Sequence, residues 1–418
     1  MTRQEYPLAR QVTTRKKRIR WQLISRCYKF LFVCSNWRKI SKGVTFALKM
    51  KNAKVKGRQC LEQFNDQGGY FDVVVRPMLQ QGHEGELCGW LKEMSLIRTV
   101  SSCPHPDCKG RSLAWNQARI VDKYSWSCPN CTRKQSIREN SFFVGVKCDL
   151  KMCLQLILGW CQMIPSELTA NYLGMSYCES RSKKFYTCDL YFAEIKKHVV
   201  KKVYERCDEV SENYVTSHPE DWVLGGQSAI LIVDEFPNGY MTENPSDITS
   251  AKKRNNNSHT ILCIAEANTI PTRMWLHMIE AFPEPVKIDK SQGDADKCKM
   301  VKEALKEIAK HSAPGSYIVA NSRARCCSFE SLQELKQYKV ISVEQLQKFD
   351  PPGKNKLLNN LETIWQTGVE ICEEIQETTH TLGQRIISKH LWRQRFGTSP
   401  STAFQYMLNH IAEYYRFI

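Results

Sequence analysis

The sequence lacks an uninterrupted apolar run of about 18 residues, the shortest length expected of a membrane-spanning helix. Its most apolar stretches, Tyr28–Cys34 and Leu154–Trp160, are far too short. The N-terminus also lacks an apolar segment followed by small residues, which argues against a secretory signal. We therefore expect no membrane partner. The odd total of 19 cysteines fits a reducing compartment, where cysteine is a small apolar residue or a metal ligand.

Acidic residues are nearly absent from the first 60 residues, which hold 17 Lys and Arg against the single Glu5. The 418-residue chain carries a formal net charge of +17, so this segment alone supplies +16 and a uniformly basic protein is excluded. Its run Arg15-Lys16-Lys17-Arg18 predicts nuclear import, and hence a nuclear protein, or a contact with DNA phosphates. The alternatives are a solvated tail and a misassigned start codon, with Met50 beginning the protein.

Four cysteines form two short knuckles, Cys103-x4-Cys108 and Cys128-x2-Cys131, which lie 19 residues apart. Zinc binds four thiolates in a tetrahedron, and two such knuckles supply them from adjacent turns. Because four cysteines leave no coordination position open, the spacing predicts a structural zinc ribbon and not a catalytic zinc. The alternative, four unrelated buried cysteines, requires the spacing to be accidental.

Helical periodicity lies on both sides of the cysteines. Residues 83–98 and 149–205 show apolar faces with helical spacing, and Ser166 is a candidate N-cap. Within the second region, the segment Glu167–Ser176 has the small residue and later glycine of a helix-turn-helix. The basic residues Lys183 and Lys184 follow, in a helix predicted over 178–194. An ordinary helical hairpin is the alternative interpretation.

From residue 228 onward, short β-branched segments alternate with helices. Strands are predicted over 229–233, 260–265, 274–279, 317–320 and 340–343, and helices over 297–310, 329–335, 355–377, 384–396 and 402–415. Three strands followed by strand–helix units are typical of a mixed sheet covered by helices. The expected domains are a basic arm (1–60), a helical lead-in (61–100), the zinc ribbon (101–145), a helix-turn-helix region (149–205) and an α/β domain (225–418).

Several motifs follow one another in a specific order. After the ribbon end Trp126–Arg138 come Val233-Asp234-Glu235, then Phe349-Asp350-Pro351-Pro352-Gly353 with Asn360-Leu361-Glu362-Thr363-Ile364-Trp365, and finally Trp392-Arg393-Gln394-Arg395-Phe396-Gly397. On these motifs, residues from about 83 to 415 resemble a DDE transposase of the Merlin superfamily, related to bacterial insertion-sequence transposases. The resemblance implies a multidomain α/β protein, in which a zinc ribbon and a helix-turn-helix precede an RNase H-like mixed-sheet catalytic domain.

The resemblance also implies a carboxylate triad that holds two Mg²⁺ or Mn²⁺ ions for phosphodiester chemistry. Carried over by position, the first Asp is Asp234, the Glu is Glu362, and the second Asp position is occupied by Asn321. Asparagine offers one neutral oxygen where the ions need a bridging anion. We therefore expect a degraded site with weak or absent catalysis. DNA, including terminal inverted repeats, and a homo-oligomer are the partners that the family implies.

Basic residues outside the arm also indicate DNA contacts, although a solvated surface explains each patch taken alone. They are Arg133, Lys134, Lys183, Lys184, Lys252, Lys253, Arg254, Arg393 and Arg395.

Three hypotheses for the function of the protein follow from these observations. The first is a transposase-derived DNA-binding protein with a degraded site. The second is an active Mg²⁺-dependent transposase that performs strand cleavage and transfer despite Asn321. The third is a chromatin or protein-interaction adaptor that has lost DNA binding.

Overall fold

The computed structural model describes residues 71–81, 83–99, 102–108, 110, 113–172, 185–237, 259–267, 273–280, 290–322, 324–343, 345, 368–376 and 378–415. Among these residues, the side chains of 73, 81, 172, 185–193 and 290–297 are not described. The described part is a mixed α/β structure with two separate sheets. Among the described helices, none is both long enough and apolar enough to cross a membrane.

The first sheet is small and antiparallel, with the strand order β1-β2-β3. Its strands are β1 (Ala114–Gln117), β2 (Tyr124–Ser127) and β3 (Lys134–Gln135). Before it lie a π-helical turn (Phe71–Val75), α1 (Arg76–Gln81) and α2 (Glu84–Glu93). Helix α2 buries its predicted apolar face, and the His83 side chain caps its first turn by accepting a hydrogen bond from the Gly85 N–H.

Helices then follow in the region where the sequence predicts them. They are α3 (Leu150–Cys161), α4 (Ser166–Tyr172) and α5 (Phe185–Ser217), followed by a 3₁₀ turn (Pro219–Trp222). The Asp149 carboxylate caps α3 by accepting a hydrogen bond of 2.7 Å from the Met152 N–H. Ser166, the candidate N-cap of the next helix, is instead the first residue of α4.

Helix α5 is much longer than the sequence predicts, because it continues to Ser217 and not to about residue 194 or 205. Its buried stripe carries on through Val203, Cys207, Val210 and Val215. These residues recur three to five positions apart, so one face of the helix stays apolar from Val199 to Val215. This face packs against α3 and α4 and, from the C-terminal part of the chain, against two further helices.

The second sheet has five strands in the order β6-β5-β4-β7-β8. They are β4 (Ile230–Phe236), β5 (Ile261–Glu266), β6 (Met274–Met278), β7 (Tyr317–Ala320) and β8 (Lys339–Ser342). Strand β5 is antiparallel to both of its neighbours, β4 and β6, whereas β7 is parallel to β4 and to β8. The predicted three-strand meander followed by strand–helix units is therefore confirmed, and every residue of β5 is buried, as in a sheet covered on both faces.

The helices associated with this sheet are α6 (Lys290–His311), α7 (Phe329–Leu332), α8 (His380–Phe396) and α9 (Pro400–Tyr414), and residues 368–375 are also helical. Helix α8 covers the edge strand β6. The side-chain oxygens of Gln384 and Gln394 accept hydrogen bonds of 3.2 Å from the N–H groups of Met278 and Met274. These amides occupy backbone donors that an open sheet edge would otherwise offer to another chain.

Candidate functional site

The structure brings the four ribbon cysteines together. Their ligand atoms lie within 4.8 Å of one another, with 3.7 Å between the sulfurs of Cys103 and Cys131 and 3.6 Å between those of Cys108 and Cys128. Sulfurs at the corners of a zinc tetrahedron with bonds of about 2.3 Å lie about 3.8 Å apart. The four cysteines therefore form a group that can hold a metal ion of this size.

Backbone geometry positions these thiols. The Cys103 N–H donates to the Gly110 carbonyl, and the Cys128 N–H donates to the Arg133 carbonyl, both at 3.0 Å. A side chain at Gly110 would place its Cβ 2.8 Å from the Cys128 sulfur, so only glycine fits beside the cluster. The backbone N–H of Cys131, donating to the Cys128 sulfur, lowers the pKa of Cys128 to about 6. Burial and hydrogen bonds among the thiols raise the pKa of Cys103 and of Cys108, so of these three cysteines only Cys128 has a lowered pKa.

A buried ion pair ties the small sheet to the segment that follows it. The Arg138 guanidinium forms a two-pronged contact with the Asp122 carboxylate, in which Nε donates to Oδ2 at 2.7 Å. Arg138 also donates to the carbonyl oxygens of Val146 and Cys148. Both partners of the pair are less than 10% exposed. The ion pair closes the hairpin of β1 and β2 against the residues leading into α3, with most donors of the arginine occupied.

The predicted DNA-contact residues nearest this cluster, Arg133 and Lys134, are both exposed. They lie just after the second cysteine knuckle, and Lys134 begins β3. On the other side of the sheet, the Lys92 ammonium of α2 lies 3.8 Å from the centre of the Trp115 ring, which stacks on Tyr124. Helix α2 is thus packed against the hairpin, while Arg133 and Lys134 remain accessible.

The carboxylate that the sequence places at the tip of a strand lies inside it. Asp234 and Glu235 belong to β4 and continue its ladder with β5, where Asp234 pairs with Cys263. The parallel ladder with β7 ends earlier, at the pair Val233–Ala320. Asp234 is therefore held by one neighbouring strand while its other side faces the residues that leave β7.

Asn321 is the first of those residues. The ladder pairs Ile230 with Tyr317 and Val233 with Ala320, so the same register continued by one step places Asn321 beside Asp234. Partners in a parallel ladder direct their side chains to the same face of the sheet. Both residues are buried, with 2% and 3% of their surfaces exposed. The topology thus juxtaposes the two positions that the sequence alone could only relate by motif order.

Further groups near Asp234 were not anticipated from the sequence. Glu235 is fully buried, and its Oε2 accepts a hydrogen bond of 2.7 Å from the Cys326 N–H. The adjacent Cys327 is also fully buried. A hydrogen bond with Cys326 and burial raise the pKa of the Cys327 thiol well above its usual value. The available signal was the Cys326-Cys327 doublet itself, which follows Asn321 closely.

The C-terminal signature contains two predicted DNA-contact residues, and both have partners inside the protein. Arg393 stacks on the Trp160 ring, 4.4 Å from its centre, and donates to the Trp160 carbonyl at 2.8 Å. Arg395 pairs with the Asp221 carboxylate at 2.6 Å. Trp392 is fully buried. Through these contacts the C-terminal signature joins α8 to α3 and to the 3₁₀ turn.

Several predicted site residues lie outside the described residues. They are the basic arm with Arg15, Lys16, Lys17 and Arg18, the turn of the helix-turn-helix and the start of its predicted second helix with Lys183 and Lys184, the loop residues Lys252, Lys253 and Arg254, and the third triad position Glu362. The helices flanking that turn are described. Near the start of α4, the Thr169 hydroxyl lies 2.9 Å from the Tyr204 hydroxyl of α5.

No protein-family model, curated protein or solved structure matches this chain. The functional interpretation therefore depends on the residues and their geometry.

Proposed function

We propose that this chain is a transposase-derived, nuclear DNA-binding protein in which an RNase H-like domain follows a structural zinc ribbon. In this proposal the catalytic positions are Asp234, Asn321 and Glu362, and strand cleavage is weak or absent. The observation that carries it is the register of β4 against β7, because that register, continued by one step beyond the pair Val233–Ala320, brings Asn321 beside Asp234. That is the relation that the first two acidic positions of a DDE site require.

The strand order supports the same proposal. An antiparallel meander in which the first strand is central, followed by two parallel strands on its other side, is the arrangement expected of an RNase H-like sheet. In such sheets, functional side chains gather where neighbouring strands end. Here the ladder between β4 and β7 ends at Val233 and Ala320, immediately before Asp234 and Asn321.

The chemistry of Asn321 explains why weak catalysis is proposed. Two divalent ions facing two carboxylates and one neutral amide lose a bridging anion, and with it both affinity and stabilisation of the developing charge. A deficit of about 4 kcal/mol corresponds to a rate about a thousandfold lower. Binding of DNA does not need the third carboxylate, so it persists in this proposal.

Cleavage is tested with full-length protein, Mn²⁺ or Mg²⁺, and a supercoiled plasmid carrying the DNA that flanks the coding sequence on both sides. Wild type should nick the plasmid at background rate, and Asn321→Asp should raise the rate at least tenfold. Asp234→Ala in the Asn321→Asp background is the control and should return to background. Nicking by wild type that Asp234→Ala abolishes would instead establish an active transposase.

DNA binding is tested separately, by the salt dependence of duplex affinity. The affinity should fall with salt with a slope of about −0.9 per phosphate contacted. The variant Arg133→Ala/Lys134→Ala should reduce that slope by about 1.8. A matched control, Lys302→Ala/Lys306→Ala, removes the same charge from two exposed positions of α6 and should leave the slope unchanged. No binding even at low salt would favour a protein-interaction adaptor.

A further inference from the structure

A second group of side chains that can hold a metal ion lies in the five-stranded sheet. It consists of Glu235 in β4 with Cys326 and Cys327 in the loop between β7 and α7. One carboxylate oxygen and the two sulfurs lie within 4.8 Å of one another, and all three residues are buried. None of the three belongs to the ribbon or to the proposed triad.

One oxygen of the Glu235 carboxylate accepts a hydrogen bond, and the other is in an ion pair with Arg325 but accepts no hydrogen bond. Its Oε2 accepts the Cys326 N–H at 2.7 Å, whereas its Oε1 accepts no hydrogen bond from any described residue. The Nε of Arg325 stands 3.7 Å from Oε1, and 55% of the Arg325 side chain is exposed. A carboxylate oxygen without exposure to water is costly unless a cation or donor compensates its charge. The Glu235 carboxylate lies close enough to the two sulfurs for all three side chains to coordinate one cation.

We propose that Glu235, Cys326 and Cys327 bind a thiophilic divalent cation of the Zn²⁺ class, separate from the ribbon metal. Thiolates select such cations over Mg²⁺ and Mn²⁺, which prefer oxygen ligands. Bonds of about 2.0–2.3 Å place neighbouring ligand atoms about 3.5–3.8 Å apart. The distances between the Glu235 oxygen and the two sulfurs, now up to 4.8 Å, therefore need to shorten by only about 1 Å when the ion binds.

The charges balance when the cation binds. Each thiol releases one proton, so two protons leave as the divalent cation enters. Two thiolates and the Glu235 carboxylate supply three negative charges, which the cation and Arg325 neutralise. The bound ion would link the loop after Asn321 to β4, and so hold Asn321 beside Asp234. The proposal does not depend on DNA binding or on cleavage.

The test is the zinc content of full-length protein, produced in zinc-supplemented medium and freed of loosely bound metal by gel filtration with a weak chelator. Elemental analysis should find two zinc ions per chain in wild type and one in Cys326→Ala/Cys327→Ala. The matched control Cys207→Ala also removes a fully buried thiol, from α5, and should keep two. The ribbon variant Cys103→Ala/Cys131→Ala should keep one.

A conservative variant distinguishes loss of a metal ligand from misfolding of the protein. Glu235→Gln preserves the shape of the side chain and should lose the second zinc to chelator at least ten times faster than wild type. Cobalt substitution gives an independent readout. In the ribbon variant Cys103→Ala/Cys131→Ala, the remaining thiolate-to-cobalt absorption should come from the second site. Adding Cys326→Ala/Cys327→Ala to that variant should abolish it. One zinc per chain in wild type would overturn the proposal, as would two retained in Cys326→Ala/Cys327→Ala.

Discussion

The two sheets of this protein are stabilised in different ways. The three-stranded sheet has strands of four, four and two residues, with mainly exposed residues in β1. The five-stranded sheet has a fully buried strand, β5, and helices packed against it. Small modules bury too little apolar surface to offset the chain entropy lost on folding. We therefore expect the first sheet to depend on its four cysteines and one buried ion pair, and the second on apolar packing.

The largest effect should come from removing a ribbon ligand. Cys128→Ser should unfold the three-stranded sheet and leave the five-stranded sheet folded, because zinc contributes on the order of 10 kcal/mol to such modules. Hydrogen exchange should show loss of protection over Tyr124–Ser127 and retained protection over Ile261–Glu266. Cys298→Ser, at an exposed cysteine, is the control. Protection of β2 that survives in Cys128→Ser would mean that the small sheet folds without metal.

A smaller effect is expected from breaking the buried ion pair. Arg138→Met leaves the Asp122 carboxylate buried without its guanidinium, which should cost about 3–5 kcal/mol in the free energy of unfolding. The double variant Asp122→Leu/Arg138→Met removes both charges and should recover most of that loss. Urea unfolding, followed by the hydrogen-exchange protection of Tyr124–Ser127, measures both. A double variant no more stable than Arg138→Met would show that the hydrogen bonds to the Val146 and Cys148 carbonyls matter more than the charges.

The effect that is smallest at neutral pH concerns acid and the helices around the larger sheet. Burial, with a smaller contribution from the charge of His218, lowers the pKa of His410 to about 3, and the ring accepts a hydrogen bond of 2.9 Å from Trp392 Nε1. Below about pH 6.5 the unfolded chain therefore binds a proton that the folded protein does not, and stability falls as pH decreases towards 3. The slope from this residue is at most about 1.4 kcal/mol per pH unit.

His410→Gln keeps a hydrogen-bond acceptor for Trp392 and removes the titration. The difference in urea midpoint between this variant and wild type should be constant above pH 7 and should shift in favour of the variant between pH 6 and 4. Zinc is kept saturating throughout, so that acid release of the ribbon metal affects both proteins equally. A difference that stays constant down to pH 4 would assign the acid sensitivity to other groups.

Much of the architecture could be predicted from sequence patterns. Every strand predicted after residue 228 is present within a few residues, because each contains a short run of apolar residues. The cysteine spacing likewise predicted which four thiols meet. The end of α5 was predicted wrongly, since its apolar face continues without a breaking residue until Ser217. Its 33 described residues exceed the typical helix length on which such predictions depend.

Contacts between residues far apart in the sequence could not be predicted from sequence patterns. Arg393 and Arg395 read as a basic patch in the sequence, yet they contact Trp160 and Asp221, more than 170 residues away. Local composition does not reveal which distant aromatic ring or carboxylate will accept a guanidinium. The same holds for Glu235, whose partner Cys326 lies 91 residues further along the chain.

The sequence by itself determined the classes of structure: a four-cysteine cluster, an apolar sheet, amphipathic helices and a basic arm. Each is a local property, set by spacing or by periodicity. Only the tertiary structure decided which side chains share a site. The parallel pairing of β4 with β7 places Asn321 beside Asp234, and the loop after β7 brings two thiols to Glu235. A one-residue shift in strand register would send these side chains to opposite faces, and that register is specified by packing across the whole sheet.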